Sequence, residues 1–297
     1  MIAVDWGSTH MRAYLLDADG VIRERRSADT GAMQIGADRF PQALDQLIGP
    51  WVQSGEGPVF MSGMVGSRQG WLEVPYVPCP ATLADIARGT RKVDWDGHRS
   101  AYIIPGVSCM DRDRVPDVMR GEETQAFGAV SRLPAGPVSL CMPGTHSKHV
   151  RLQDGVLQRF ETYMTGELYS VLRQYSILGR TMGPPVAEID GAAFRAGVER
   201  AGDSGGLSHH LFGVRARALA GELDAHAAGS YLSGILIGHE IRSVQRPDPV
   251  FIIGSPGLSE LYRRAFEHCG TRAALLDADV VATGLYRIMH CLAESLP

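Results

Sequence analysis

The sequence predicts an α/β protein made of two similar halves with a cleft between them. Three observations carry that prediction. Residues 2–25 read as a β-meander whose first strand ends in the glycine turn Asp5-Trp-Gly-Ser-Thr9. The same plan of strand, glycine turn, strand, Asp-Gly turn and strand returns over residues 137–161. Beyond it, helices with 3.6-residue apolar spacing alternate with short apolar strands, as an α/β half requires. A chain of 297 residues is long for one core and comfortable for two domains. The boundary is expected near 132/133, giving domains 1–132 and 133–297.

Taken in order, Ile2–Val4, Arg12–Leu16 and Val21–Arg25 form the first meander, with the turn Asp17-Ala-Asp-Gly20 inside it. Ala43–Ile48 has helical spacing that Gly49-Pro50 should end, and Pro58–Met61 is a buried strand running into Ser62-Gly63. Residues 66–120, rich in Gly, Pro and Arg, read as loops around short strands such as Ala101–Ile104; long irregular stretches inside a compact domain are usually functional. A helix is expected over Glu122–Val130. The second meander comprises Pro137–Met142, His149–Leu152 and Val156–Glu161. Helices follow over Glu167–Leu178, Gly191–Ala201, His209–Leu223 and Ala228–Val244. Strand Val250–Ile253, helix Ser259–His268, strand Arg272–Leu276 and helix Val280–Glu294 complete the chain.

Composition excludes several classes. Hydrophobic content of 44% with 21% charged residues belongs to a soluble globular protein, and a net charge of −4 gives no reason to expect nucleic acid. Apolar runs such as Val250–Ile253 are too short for a membrane span, and Met1–Asp5 has an acid where a signal peptide needs basic residues. A cytoplasmic location is expected. Cysteines 79, 109, 141, 269 and 291 are odd in number and scattered, so they read as reduced thiols with neither disulfide nor zinc site. The histidines lack metal-ligand spacing.

The polar clusters point to phosphate chemistry. Gly7, Ser8 and Thr9 supply a close backbone approach and donors for phosphate oxygens, Asp5 a carboxylate for Mg²⁺, and Arg12 a nearby cation. Gly144 and Thr145 repeat the turn, with Lys148 in reach of a phosphate. Gly254, Ser255 and Gly257 lie between a strand and a helix and suit a nucleotide base or ribose laid on backbone. The polar, glycine-rich run Met61–Trp71 offers Ser62, Gly63, Ser67, Arg68 and Gln69 to a polyhydroxylated acid, with Arg68 forked onto its carboxylate. Gly121 opens a helix whose first turn holds Glu122 and Glu123. Acids there complement the helix dipole, and they also suit a general base.

Together these residues resemble the actin-like ATPase and sugar-kinase superfamily of ribonuclease H-like folds, with Asp5–Thr9 as first phosphate motif, Gly144-Thr145 as second and Gly254–Ser259 as adenosine motif. The segment Gly121-Glu-Glu-Thr-Gln-Ala-Phe-Gly128 is similar to the one that carries the catalytic base of glycerol-kinase-like enzymes. That resemblance assigns the base to Glu122 and keeps the adjacent Glu123 in play; Asp117, just upstream, is the next candidate should neither serve. Met61–Trp71, Pro116–Gln125, Pro143–Lys148 and Met164-Thr-Gly-Glu-Leu168 resemble the 2-dehydro-3-deoxygalactonokinase family over nearly the whole chain.

The resemblance implies phosphorylation of 2-dehydro-3-deoxy-D-galactonate at its 6-hydroxyl, with ATP and Mg²⁺, in galactonate catabolism. Asp5 would stand near the metal and the two halves would close over the nucleotide. Two other classes stay open: a phosphatase or exopolyphosphatase of the same superfamily, and a non-catalytic nucleotide-binding regulator. The partners implied are the sugar acid and ATP; the oligomeric state is not fixed, with a homodimer left open.

Overall fold

The computed structural model describes residues 1–36, 38–95, 99–184, 189–244 and 249–294. The chain forms two compact units. One comprises Met1–Pro137, Val150–Glu161 and the chain from Asp277 on; the other comprises Val138–His149 and Thr162–Leu276. A single boundary at 132/133 would have put the last helix with the second half. The helix groups instead with the first.

In the first unit, strands β1 (Ile2–Trp6), β2 (Met11–Leu16) and β3 (Ile22–Ala28) form the expected meander. Helix α1 (Phe40–Gln53) leads to β4 (Val59–Gly63), and β5 (Val77–Pro78), α2 (Leu83–Gly89), β6 (Arg91–Asp94), β7 (Ser100–Ile103), β8 (Val107–Met110), β9 (Pro116–Met119) and α3 (Glu122–Ala129) follow. The main sheet has the order β3-β2-β1-β4-β7-β6, with β1, β4 and β7 mutually parallel, and β5-β8-β9 form a small second sheet. The stretch 66–120 thus contains a helix and four paired strands that its weak periodicity concealed.

One face of the main sheet is apolar at alternate positions, as a strand with one buried face should be. Ile2, Val4 and Trp6 of β1 pack with Phe40, Leu44, Ile48 and Trp51 of α1. That packing explains why α1 runs past Gly49-Pro50. Pro50 is exposed and costs one backbone hydrogen bond, whereas stopping there would strand Trp51, which is 4% exposed in the core. Fully burying a large apolar side chain stabilises by about 1.5–3 kcal/mol, which offsets much of the roughly 3 kcal/mol that an interior proline costs.

In the second unit, β10 (Pro137–Met142), β11 (Ser147–Gln153) and β12 (Val156–Tyr163) repeat the meander, with residues 150–161 grouping with the first unit. Helices α4 (Thr165–Tyr175), α5 (Gly191–Arg200), α6 (Gly206–Leu219) and α7 (Ala225–Ser243) precede β13 (Val250–Ile253), α8 (Pro256–His268) and β14 (Ala273–Leu276). The sheet order is β12-β11-β10-β13-β14, with β10, β13 and β14 parallel. The first five strands of the main sheet, β3-β2-β1-β4-β7, have the same relative order. This is the duplicated actin-like α/β class that the sequence predicts. Helix α9 (Val280–Glu294) closes the chain against α2, α3 and β1, burying Val281, Leu285 and Ile288. Those partners are what draw it to the first unit. No helix among the described residues is long and apolar enough to cross a membrane.

Candidate active site

The first unit gathers most of the polar residues singled out above at one end of its parallel strands. In parallel α/β sheets, ligands bind beyond the carboxyl ends of strands, and β1 and β4 both end here. Asp5 lies opposite Arg12 across β1/β2 and beside Ser62 across β1/β4, and Trp6 lies beside Gly63. Paired positions in adjacent strands share a face, so Asp5 and Ser62 present their side chains together. An Arg12 guanidinium nitrogen sits 3.7 Å from the Asp5 carboxylate, with Arg12 itself largely exposed.

Burial pushes the Asp5 carboxyl up to about 6; Arg12 pulls it down, and the negative charge of Glu122 raises it further. Asp5 and Glu122 therefore sense one another. Glu122 arrives through Gly121, whose φ of 110° is a conformation that side chains rarely adopt. A Cβ on Gly121 would lie 3.3 Å from the Gly63 Cα, so the start of α3 rests on the end of β4.

The two adjacent glutamates have different fates. Glu123 is fully buried, and its carboxylate accepts from the Gly121 N–H at 2.7 Å and from the Thr124 hydroxyl at 2.9 Å. It serves as an internal cap for α3. Desolvation, reinforced by the charge of Glu122, pushes its carboxyl up to about 7. Glu122 is half-buried and on the Asp5 side. The Glu123 carboxylate is thus spent within α3, and Glu122 is the one of the two whose charge reaches Asp5. Asp117 is also half-buried but belongs to β9, in the small sheet.

The turn after β1 closes by a bond from the Gly7 N–H to the His10 carbonyl, leaving Ser8 and Thr9 exposed. It is pinned from behind. Ala32 and Met33 donate to the Gly7 and Ser8 carbonyls, and a Cβ on Gly31 would fall 2.0 Å from the Ser8 carbonyl oxygen. Ser62 and Ser67 are buried with hydroxyls that have no partner among the described residues, while Arg68 and Gln69 are exposed.

In the second unit Gly144 is half-buried and Thr145 exposed. This turn too is pinned by the segment that follows its third strand. Glu167 donates its N–H to the Thr145 carbonyl, and a Cβ on Gly166 would fall 2.3 Å from the Gly144 carbonyl oxygen. Lys148 is buried and donates to the His146 carbonyl at 2.9 Å, so its ammonium already has a protein partner. Gly254, Ser255 and Gly257 form the entry to α8, where Ser255 and Gly257 are exposed at the helix N-terminus, a favourable place for negative charge. The Ser259 hydroxyl, one turn on, is buried without a partner among the described residues.

Sequence reasoning missed a polar network under this turn. Ser147 shares a hydrogen bond with Tyr262, Tyr262 donates to Glu240, and Glu240 is 2.7 Å from the His149 ring; all four are buried. The pattern could not announce it, because β11, α7 and α8 bring it together from distant parts of the chain. Arg120 was missed as well; it stood unassigned beside Gly121-Glu122.

A family model described as 2-keto-3-deoxy-galactonokinase matches residues 5–288. The chain belongs to this kinase family. The relative "Probable 2-dehydro-3-deoxygalactonokinase DgoK1" of Rhizobium meliloti (strain 1021) is 42% identical over 296 residues, covering 95% of this chain and 94% of that protein. The 2-dehydro-3-deoxygalactonokinase of Escherichia coli (strain K12) is 34% identical over 298 residues, covering 99% and 98%. The "Crystal structure of a putative 2-dehydro-3-deoxygalactonokinase protein from Sinorhizobium meliloti" superposes with a TM-score of 0.88 at 37% identity, covering 100% of this chain and 99% of that one. Membership of the 2-keto-3-deoxy-galactonokinase family makes the protein a carbohydrate kinase.

Proposed function

We propose that the protein transfers the γ-phosphoryl group of ATP to the 6-hydroxyl of 2-dehydro-3-deoxy-D-galactonate. The observation that carries this reading is the buried Asp5 beside Ser62 at the ends of β1 and β4, with Gly121 setting Glu122 at the start of α3 against the end of β4, in a family of sugar-acid kinases. Glu122 orients the acceptor hydroxyl and takes its proton as the new O–P bond forms and the bond to the ADP leaving group breaks. The Gly7–Thr9 turn and the Gly144-Thr145 turn offer backbone and hydroxyl donors to phosphate oxygens, and Gly254–Gly257 holds the adenosine.

The residues present fit a magnesium ion. Asp5 offers a hard oxygen donor in a place where burial and Glu122 disfavour its charge, and a nearby cation relieves that strain. Asp5 would hold the ion, largely through water. Bound there, Mg²⁺ would supply neutralisation of the charge on the transferring phosphates. Phosphoryl transfer asks for positioning more than for covalent help, and a turn pinned from behind suits that demand.

The test is ADP release, coupled to a spectroscopic readout, over a panel of 2-keto-3-deoxy sugar acids with and without Mg²⁺. The reading requires ADP formation that depends on the galactonate-derived acid, and a product whose phosphorus signal is that of a primary phosphate ester. ADP formed equally well without any acid would point to a hydrolase and overturn it.

A further inference from the structure

Arg120 joins β9 to Gly121, and its guanidinium is held on two sides. One terminal nitrogen donates to the Val74 carbonyl at 2.7 Å, and the group lies over the Tyr76 ring, 4.4 Å from its centre. The other terminal nitrogen and Nε are buried with no hydrogen-bond partner among the described residues. No carboxylate among those residues lies within ion-pair reach of it. A guanidinium is always charged, so a buried one with unused N–H groups and no counter-ion is costly unless an anion completes it.

The neighbours of this cation are unspent as well. A Cβ on Gly66 would come within 2.9 Å of the free terminal nitrogen, which places that nitrogen against the backbone just before Ser67. The Ser67 and Ser62 hydroxyls are likewise buried and unpaired, and Ser62 sits beside Asp5. Arg68, the cation that the sequence offered to a carboxylate, is exposed on the same loop. We infer that Arg120, assisted by Ser67, binds the carboxylate end of the sugar acid, so that Arg120 and not Arg68 gives the enzyme its preference for an acid. The inference rests on the kinase reading above for the identity of that acid. Cα atoms two residues apart are at most about 7 Å apart, so one six-carbon chain can run from Arg120 to Glu122.

The experiment compares the acid with its neutral amide, which keeps the carbon chain and the 6-hydroxyl. In R120Q the KM for the acid should rise about 10- to 100-fold, the range of a lost hydrogen-bonded charge contact, while KM for ATP and for the amide move less than about 3-fold. R120K keeps a charge for the Val74 contact but loses the fork, and should show the same selective loss at about 10-fold. It supplies the folded counterpart should R120Q fail to fold. R68Q should keep the wild-type preference. A variant of Arg120 that retains the acid-over-amide preference, or that loses both substrates equally, overturns the assignment.

Thermal shift without ATP reads binding apart from turnover. A wild type stabilised by the acid but not by the amide, with the difference lost in R120K, supports the assignment even where no phosphate is transferred; that combination would strike only the kinase reading. Equal stabilisation of R120K and wild type by the acid overturns it.

Discussion

The two glycine turns share a scaffold and differ in charge. Each follows the first strand of a three-strand meander, and each is pinned by the segment after the third strand: Gly31–Met33 behind Gly7-Ser8, and Gly166-Glu167 behind Gly144-Thr145. Two residues before the glycine stands Asp5 in one and the buried Met142 in the other. After the turn, Arg12 is exposed and faces Asp5, whereas Lys148 is buried on the His146 carbonyl. The two meanders share the backbone of the turn and the way it is pinned. The carboxylate two residues ahead of the glycine, and the exposed cation that faces it, belong to the first turn alone.

The sharpest way to break this comparison is to remove the proposed base. Glu122→Gln should lower kcat by about 10²–10⁴-fold while ATP still binds, because a positioned general base contributes on that order. Glu123→Gln should cost far less, since that carboxylate is spent on Gly121 and Thr124. Steady-state kinetics of the two single variants decide it. A dead Glu123→Gln beside an active Glu122→Gln would shift the register by one residue.

The second contrast sets Asp5→Asn against Thr145→Ala. Loss of a charged contact at the first turn should reduce kcat/KM about 10- to 100-fold and weaken the Mg²⁺ dependence. Loss of one neutral hydroxyl at the second turn should cost only about 2- to 10-fold, mostly in KM for ATP. Equal losses would mean that the asymmetry of charge has no functional meaning.

Much of this was legible in the sequence because it is local. Alternating apolar strands meeting Gly-Ser/Thr turns define the meanders, and 3.6-residue spacing locates most helices. The parts that escaped depend on distant partners. Pro50 looked like a stop because Trp51's place in the core cannot be read from its neighbours. Glu122 and Glu123 differ only through the packing of α3, which buries Glu123 fully and leaves Glu122 half-buried. Arg120 looked like any loop arginine because Val74, Tyr76 and Gly66, which close around it, lie far from it in the chain.

A third test concerns stability in the second unit. The Ser147–Tyr262–Glu240–His149 network ties β11, which leaves the Gly144-Thr145 turn, to α7 and α8. Glu240→Ala strands two buried partners, Tyr262 and His149, and should cost about 3 kcal/mol in urea unfolding at pH 7. A loss under about 1 kcal/mol would show that the network is not what supports that turn.

The smallest expected effect is a change of slope with pH, and it tests why Glu123 is buried at all. Its folded-state carboxyl sits at about 7 against an ordinary 4.5, so between those values the folded protein holds a proton that the unfolded chain has released. Stability from this group is therefore fully present below about pH 4.5, falls as pH rises, and levels off above about pH 7. Asp5, pushed up to about 6, contributes in the same direction. Glu123→Gln removes the Glu123 part. Any cost of fitting an amide between Gly121 and Thr124 is independent of pH, so it offsets the curve without tilting it. Unfolding midpoints at pH 5 and pH 8 should thus lie closer together in Glu123→Gln than in the wild type. Glu122→Gln should narrow the gap less, because desolvation outweighs the Glu122 charge in raising this carboxyl. A Glu123→Gln gap as wide as the wild type's would mean that Glu123 is not the proton the folded state retains.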